Sequence, residues 1–112
     1  MNNKYGKLVR NHIPDIIKNN GEIPITKILN DQEYYGELQL KLLEEAKETI
    51  SAKNDQELLE ELADIIEVII ALGKTKNITL QEILKEADIK REKRGSFSDK
   101  IYLENVEQTL KR

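Results

Sequence analysis

Two pairs of carboxylates recur at one-turn spacing in the middle of this chain, Glu45 with Glu48 and Glu61 with Asp64. Residues three apart on a helix are neighbours, and like charges there cost roughly 0.2–0.5 kcal/mol per pair. Advancing about 100° per residue places Glu61 inside an apolar arc of Leu58, Leu62, Ile65, Ile66, Val68, Ile69 and Leu72, with Asp64 at its border. Glu45 falls about 20° from Leu38, at the edge of an arc made by Tyr35, Leu38, Leu42, Ala46 and Ile50; Glu48 falls about 60° beyond it. Glu60 and Glu67 point the other way, into a polar sector. A carboxylate turned inward must protonate or find a cation. A hard divalent ion meets that need, and Mg²⁺ suits a few carboxylates completed by water and substrate phosphates. Most acidic pairs on helices are simply solvated. A buried ion pair to Lys41, Lys47 or an Arg of the third long helix would also neutralise these acids. Inward placement on two consecutive helices is what favours a metal.

The elements that must position these groups are helical. Residues 1–12 read as an irregular basic arm around Leu8 and Val9. Pro14 suits the first position of a short helix to Asn19, which Asn20-Gly21 ends. Residues 22–29, rich in Ile and Thr and carrying Pro24, read as an edge strand or extended segment. Asp31 is expected to cap a long helix from about Gln32 to Ala52. Asn54-Asp55 breaks the chain before a second long helix, Gln56 to about Lys74. Thr79-Leu80-Gln81-Glu82 has the form of a capping box and opens a third, ending near Arg94 with Gly95 beyond it. Residues 100–103 form a second strand candidate, paired with 24–29, and 105–112 a polar tail. Two consecutive helices with a short connection pack antiparallel, which brings the two acidic faces together.

Composition narrows the function classes. With 112 residues the chain is expected to be one domain. Charged residues make up 35% and no cysteine is present, so thiolate metal sites and disulfides are excluded and a metal must use oxygen ligands or His12. A net charge of -3 offers no basic field for nucleic acid. The opening residues lack the layout of a signal peptide, and the apolar run Val68 to Leu72 is too short to span a bilayer, so no membrane partner and a cytoplasmic location are expected. The helix 56–74 is apolar around more of its circumference than one small bundle needs. A homodimer or homotetramer through the long helices follows.

Taken together, these residues resemble the MazG-like, all-α nucleoside triphosphate pyrophosphohydrolase superfamily, whose signature is EExxE followed by ExxD. Glu44-Glu45-Ala46-Lys47-Glu48 matches the first half and Glu61-Leu62-Ala63-Asp64 the second. The opening Tyr5-Gly6-Lys7-Leu8-Val9-Arg10-Asn11-His12-Ile13-Pro14 and the late Glu92-Lys93-Arg94-Gly95-Ser96-Phe97 are similar to its small house-cleaning branch, likened to phosphoribosyl-ATP pyrophosphohydrolase. Asn11 departs from the acidic residue expected there. The fold implied is mainly α and four-helix-bundle-like, with three long helices, one short N-terminal helix and a small two-stranded β element.

The resemblance implies cleavage of a nucleoside triphosphate to a monophosphate and pyrophosphate, with Mg²⁺, or Mn²⁺ in its place, held by Glu45, Glu48, Glu61 and Asp64. Glu44, Glu45 or Glu48 would take the proton of the attacking water. Lys7, Arg10, Lys93 and Arg94 are the candidates for phosphate contacts, although Lys93 and Arg94 also suit a helix C-terminus as dipole partners. Tyr34, Tyr35 and Tyr102 could stack on a base, and His12 reads as a packing residue. Two other readings stay open. One is phosphoribosyl-ATP pyrophosphohydrolase of histidine synthesis; the other is a non-catalytic helical oligomeric interaction protein.

Overall fold

The structure is a computed structural model describing residues 6–109. Residues 1–5 of the arm, Tyr5 of the opening motif among them, and 110–112 of the tail lie outside the described residues. The chain divides into two compact units, Met1–Leu80 and Gln81–Arg112. Its helices are α1 (Ile13–Asn19), α2 (Asp31–Ile50), α3 (Asp55–Thr75) and α4 (Leu80–Arg94). The mainly α class expected from the patterning is what forms.

Local chemistry sets the helix ends. α1 has Pro14 in its first turn and closes at Gly21, whose φ of 84° allows its amide to reach Lys18 O at 2.9 Å while Glu22 N reaches Ile17 O at 3.2 Å. This is the paired closing bond of a Schellman end. α2 begins differently from expectation, because Asn30 rather than Asp31 is the cap. Asn30 Oδ1 accepts from Glu33 N at 2.8 Å, and Glu33 Oε1 accepts from Asn30 N at 3.2 Å. Glu33 stands three residues beyond Asn30, the separation that closes a reciprocal capping box. Asn54 caps α3 by accepting from Glu57 N at 2.8 Å, while the Glu57 carboxylate accepts from Lys53 N at 3.0 Å rather than closing a box on Asn54.

Residues 51–54 turn the chain, and α2 packs on α3. Among the half-buried and buried positions, one stripe on α2 runs Tyr35, Leu38, Leu42, Glu45, Thr49, and one on α3 runs Glu61, Ile65, Val68, Leu72, Thr75. Both series alternate steps of three and four, the 3.5-residue average that keeps a stripe facing its partner along a helix pair. Leu38 at 4% exposure and Val68 at 7% are the buried apolar centre of the seam. The expected α2 arc is therefore corrected at one end: Ala46 and Ile50 are exposed, and Glu45 and Thr49 continue the stripe instead.

The expected β element does not form. Among the described residues there is no strand, and Ile25 and Ile28 are each 97% exposed. Three local causes oppose the pairing. An isolated two-stranded pair is marginal in water, Pro24 lacks an amide donor, and Lys100, the first residue of the run 100–103, leaves the extended region at a φ of 61°.

In the second unit α4 ends as its composition predicts. Gly95 adopts a φ of 82° and its amide bonds to Arg91 O at 2.8 Å. Arg91 also pairs with Asp88 across 2.6 Å on the same helix.

Candidate functional site

The seam that buries Leu38 against Val68 carries acids where a plain helix pair would carry leucine. Glu45 comes one heptad after Leu38 on α2, and Glu61 one heptad before Val68 on α3. Because the helices run antiparallel, these two positions meet on the loop side of the apolar centre. Carboxylate oxygens of Glu45, Glu61 and Asp64 all lie within 4.8 Å of one another. Glu45 is only 5% exposed. Glu45 Oε2 and Glu61 Oε2 are both hidden from solvent with no hydrogen-bond partner. A buried acceptor left unpaired costs free energy that a native fold normally avoids.

Electrostatics follow the same geometry. Burial, together with the neighbouring Asp64 and Glu48 charges, raises the Glu45 carboxyl above its ordinary value. Glu61 rises to about 7, through loss of solvent and then the adjoining Glu48 and Glu45 carboxylates. Glu44 moves the other way. Its Oε2 accepts from Lys41 Nζ at 2.9 Å and lies 3.9 Å from Lys7 Nζ, so it is held ionised. Lys41 stands 3.8 Å from Glu45 Oε1. The buried ion-pair alternative is thus met only in part, by Lys41 at Glu45 Oε1, while no described cation reaches the hidden oxygens of Glu45 and Glu61.

The expected site residues are distributed unevenly. Glu45, Glu61 and Asp64 come together, and Glu45 is the most deeply placed although its wheel position suggested only an edge. Glu48 is exposed, beside Glu61 and Glu45 but outside the three-residue group. Of the phosphate candidates, Lys7 lies on Glu44 and Arg10 binds Asp64, with Nη2 at 2.6 Å from Oδ1. That Arg10 contact joins residues 54 apart, and no spacing rule signals it. Lys93 and Arg94 occupy the exposed last turn of α4 in the second unit. Tyr35 lines the seam, with Lys76 Nζ 4.5 Å above its ring, which covers that face against stacking. Tyr102 is exposed, in the second unit. His12 immediately precedes α1 with no side-chain capping bond.

No described helix is long and apolar enough to cross a membrane. Oxygen-only donors, acidic and partly dry, are what a hard divalent cation prefers.

Residues 11–91 match the phosphoribosyl-ATP pyrophosphohydrolase family model. A stretch of 54 residues is 39% identical to an uncharacterized protein of Mycolicibacterium smegmatis, covering 48% of this chain and 55% of that relative. The chain therefore spans about half the length of the curated relative it matches. No solved structure matches. The matched span covers most of the chain, which accordingly belongs to the phosphoribosyl-ATP pyrophosphohydrolase family, within the MazG-like all-α superfamily of pyrophosphohydrolases.

Proposed function

We propose, starting from membership in this family of pyrophosphohydrolases, that the chain is a Mg²⁺-dependent nucleoside triphosphate pyrophosphohydrolase acting in the house-cleaning of non-canonical nucleotides. The observation that carries the metal part of this reading is the pair of buried, unpartnered oxygens, Glu45 Oε2 and Glu61 Oε2. They fit a divalent cation better than any protein donor nearby. Glu45, Glu48, Glu61 and Asp64 would hold it, and Mn²⁺ would be accepted in its place. When bound, the ion would neutralise charge on the triphosphate and acidify a water for attack.

The remaining roles fall to the chain's own side chains. Glu44 is a poor base because Lys41 and Lys7 stabilise its ionised form; it serves better to fix those two ammonium groups at the rim. Glu48, exposed beside the cluster and outside the three-residue group, is the better placed to accept the proton of the attacking water through whichever oxygen does not ligate the ion. Lys7 and Arg10, already at the acidic edge, are suited to the phosphates, Arg10 through its planar fork of donors. Lys93 and Arg94 are retained as phosphate candidates on their place in the late motif alone.

A second substrate reading has an observation in its favour, since the matching family is described as phosphoribosyl-ATP pyrophosphohydrolase. The test for both is pyrophosphate release over a panel of ordinary, deoxy, damaged and phosphoribosyl-substituted triphosphates, with Mg²⁺ and with EDTA. Turnover confined to phosphoribosyl-ATP would replace house-cleaning with histidine synthesis. No release on any member would favour the non-catalytic helical interaction protein.

Self-association belongs to the same reading. Leu58, Leu59, Leu62 and Ile66 of α3 are more than a third exposed, as are Leu40 and Leu43 of α2. A two-helix seam with so much uncovered apolar surface supports a homodimer or homotetramer formed through the long helices.

A further inference from the structure

Arg10 and Asp64 form the closer of two ion pairs that tie the N-terminal arm to the acids of the helix pair among the described residues, with Nη2 2.6 Å from Oδ1 against 3.9 Å between Lys7 and Glu44. Asp64 is at the same time the exposed corner of the carboxylate cluster, its oxygen within 4.8 Å of those of Glu45 and Glu61. Among the described residues the guanidinium meets Asp64 alone, while Glu45 Oε2 and Glu61 Oε2 remain buried without a partner. Arg10 cannot reach a neutral form to leave, because guanidinium stays protonated throughout the accessible pH range. A cation that takes Asp64 is what would release it. The pair is open to such competition, since both side chains are substantially solvated, at 57% and 40% exposure, and exposed ion pairs are weak. Release would not carry the group away. The Arg10 carbonyl accepts from Ile13 N at 3.0 Å, which anchors the arm at the start of α1.

We propose, resting on the divalent-metal reading above, that Arg10 is a displaceable counter-ion. It holds Asp64 until a divalent cation takes that carboxylate, and its freed guanidinium then binds the oxygens of the triphosphate. The exchange makes the arm oppose metal and favour polyphosphate. A purely structural arginine would not produce opposite signs.

The experiment is calorimetric titration of the full chain with Mg²⁺ alone, and then with inorganic tripolyphosphate at saturating Mg²⁺. Arg10→Ala is compared with wild type and with Lys18→Ala, which removes the same charge from α1 away from the cluster. Arg10→Ala is expected to bind Mg²⁺ about threefold more tightly, the scale of one exposed ion pair, and tripolyphosphate about tenfold more weakly; Lys18→Ala should match wild type in both. Unchanged or weaker Mg²⁺ binding by Arg10→Ala overturns the inference, as does unchanged tripolyphosphate binding or a Mg²⁺-loaded wild type that takes no tripolyphosphate. A wild type that binds no Mg²⁺ overturns the metal reading itself, a distinct outcome. Circular dichroism of the variant, whose replaced side chain is largely exposed, separates these results from misfolding.

Discussion

Glu45 on α2 and Glu61 on α3 occupy facing positions of one seam, each with its Oε2 buried and without a hydrogen-bond partner. If these oxygens serve a cation, Glu61→Gln should cut Mg²⁺-dependent pyrophosphate release by at least about 100-fold, since substitutions merely adjoining metal ligands already cost about 10–100-fold. The helical circular dichroism should persist. Without metal the variant should melt at a higher temperature than wild type, because a like charge has left the seam. Turnover equal to wild type would remove Glu61 from the site.

The raised Glu61 pKa has a definite sign in stability. Its folded value of about 7 lies above the ordinary 4.5, so the folded state binds more protons in between. Its stabilising contribution is full below about pH 4.5 and is lost as pH rises through about 7. In EDTA, the wild-type melting temperature should therefore fall between pH 5 and pH 7.5 by more than that of Glu61→Gln. Mg²⁺ binding should strengthen over the same interval, since the ligand must lose its proton. Parallel melting curves for the two proteins would refute this assignment.

The uncovered leucines of α3 predict an assembly. Light scattering after gel filtration should give a mass at a multiple of the 13.0 kDa chain. Leu62→Glu should shift that mass to the monomer and lower the melting temperature. A wild-type protein that elutes and scatters as a monomer at micromolar concentration contradicts the proposed oligomer.

Which residue caps α2 can be tested directly. Asn30→Ala should destabilise the protein by about 1 kcal/mol in urea, the usual yield of an N-cap. Asp31→Ala should cost clearly less, because its interaction is only with the helix dipole. Equal losses would mean the capping box between Asn30 and Glu33 contributes little.

Much of this architecture was legible because helix chemistry is local. Asn54 before Asp55, Gly21 after Asn20 and Gly95 after Arg94 mark ends through bonds that span five residues or fewer. The inward aim of Glu61 could be read from the apolar residues around it. A single-helix wheel at 3.6 residues per turn leaves Glu45 at the edge, whereas a packed pair follows 3.5, and the difference moves Glu45 to the seam. Asn30 and Asp31 are both good caps, and only the partner Glu33 decides between them. The Ile-rich stretch 22–29 has strand composition but gains no neighbour to pair with. Arg10 reaching Asp64 depends on the path of the arm in space, which no periodicity encodes.

The four-residue connection, 51–54, has a kinetic consequence. Contacts closed by so short a loop form early, before distant parts of the chain have met. The acids at 45 and 61 therefore confront each other during formation of the first helix pair, not after the fold is complete. Refolding followed by stopped-flow circular dichroism should be faster with Mg²⁺ than with EDTA, and faster at pH 5 than at pH 8. The charge arrangement proposed to hold a cation would then also set how quickly the chain finds its native state.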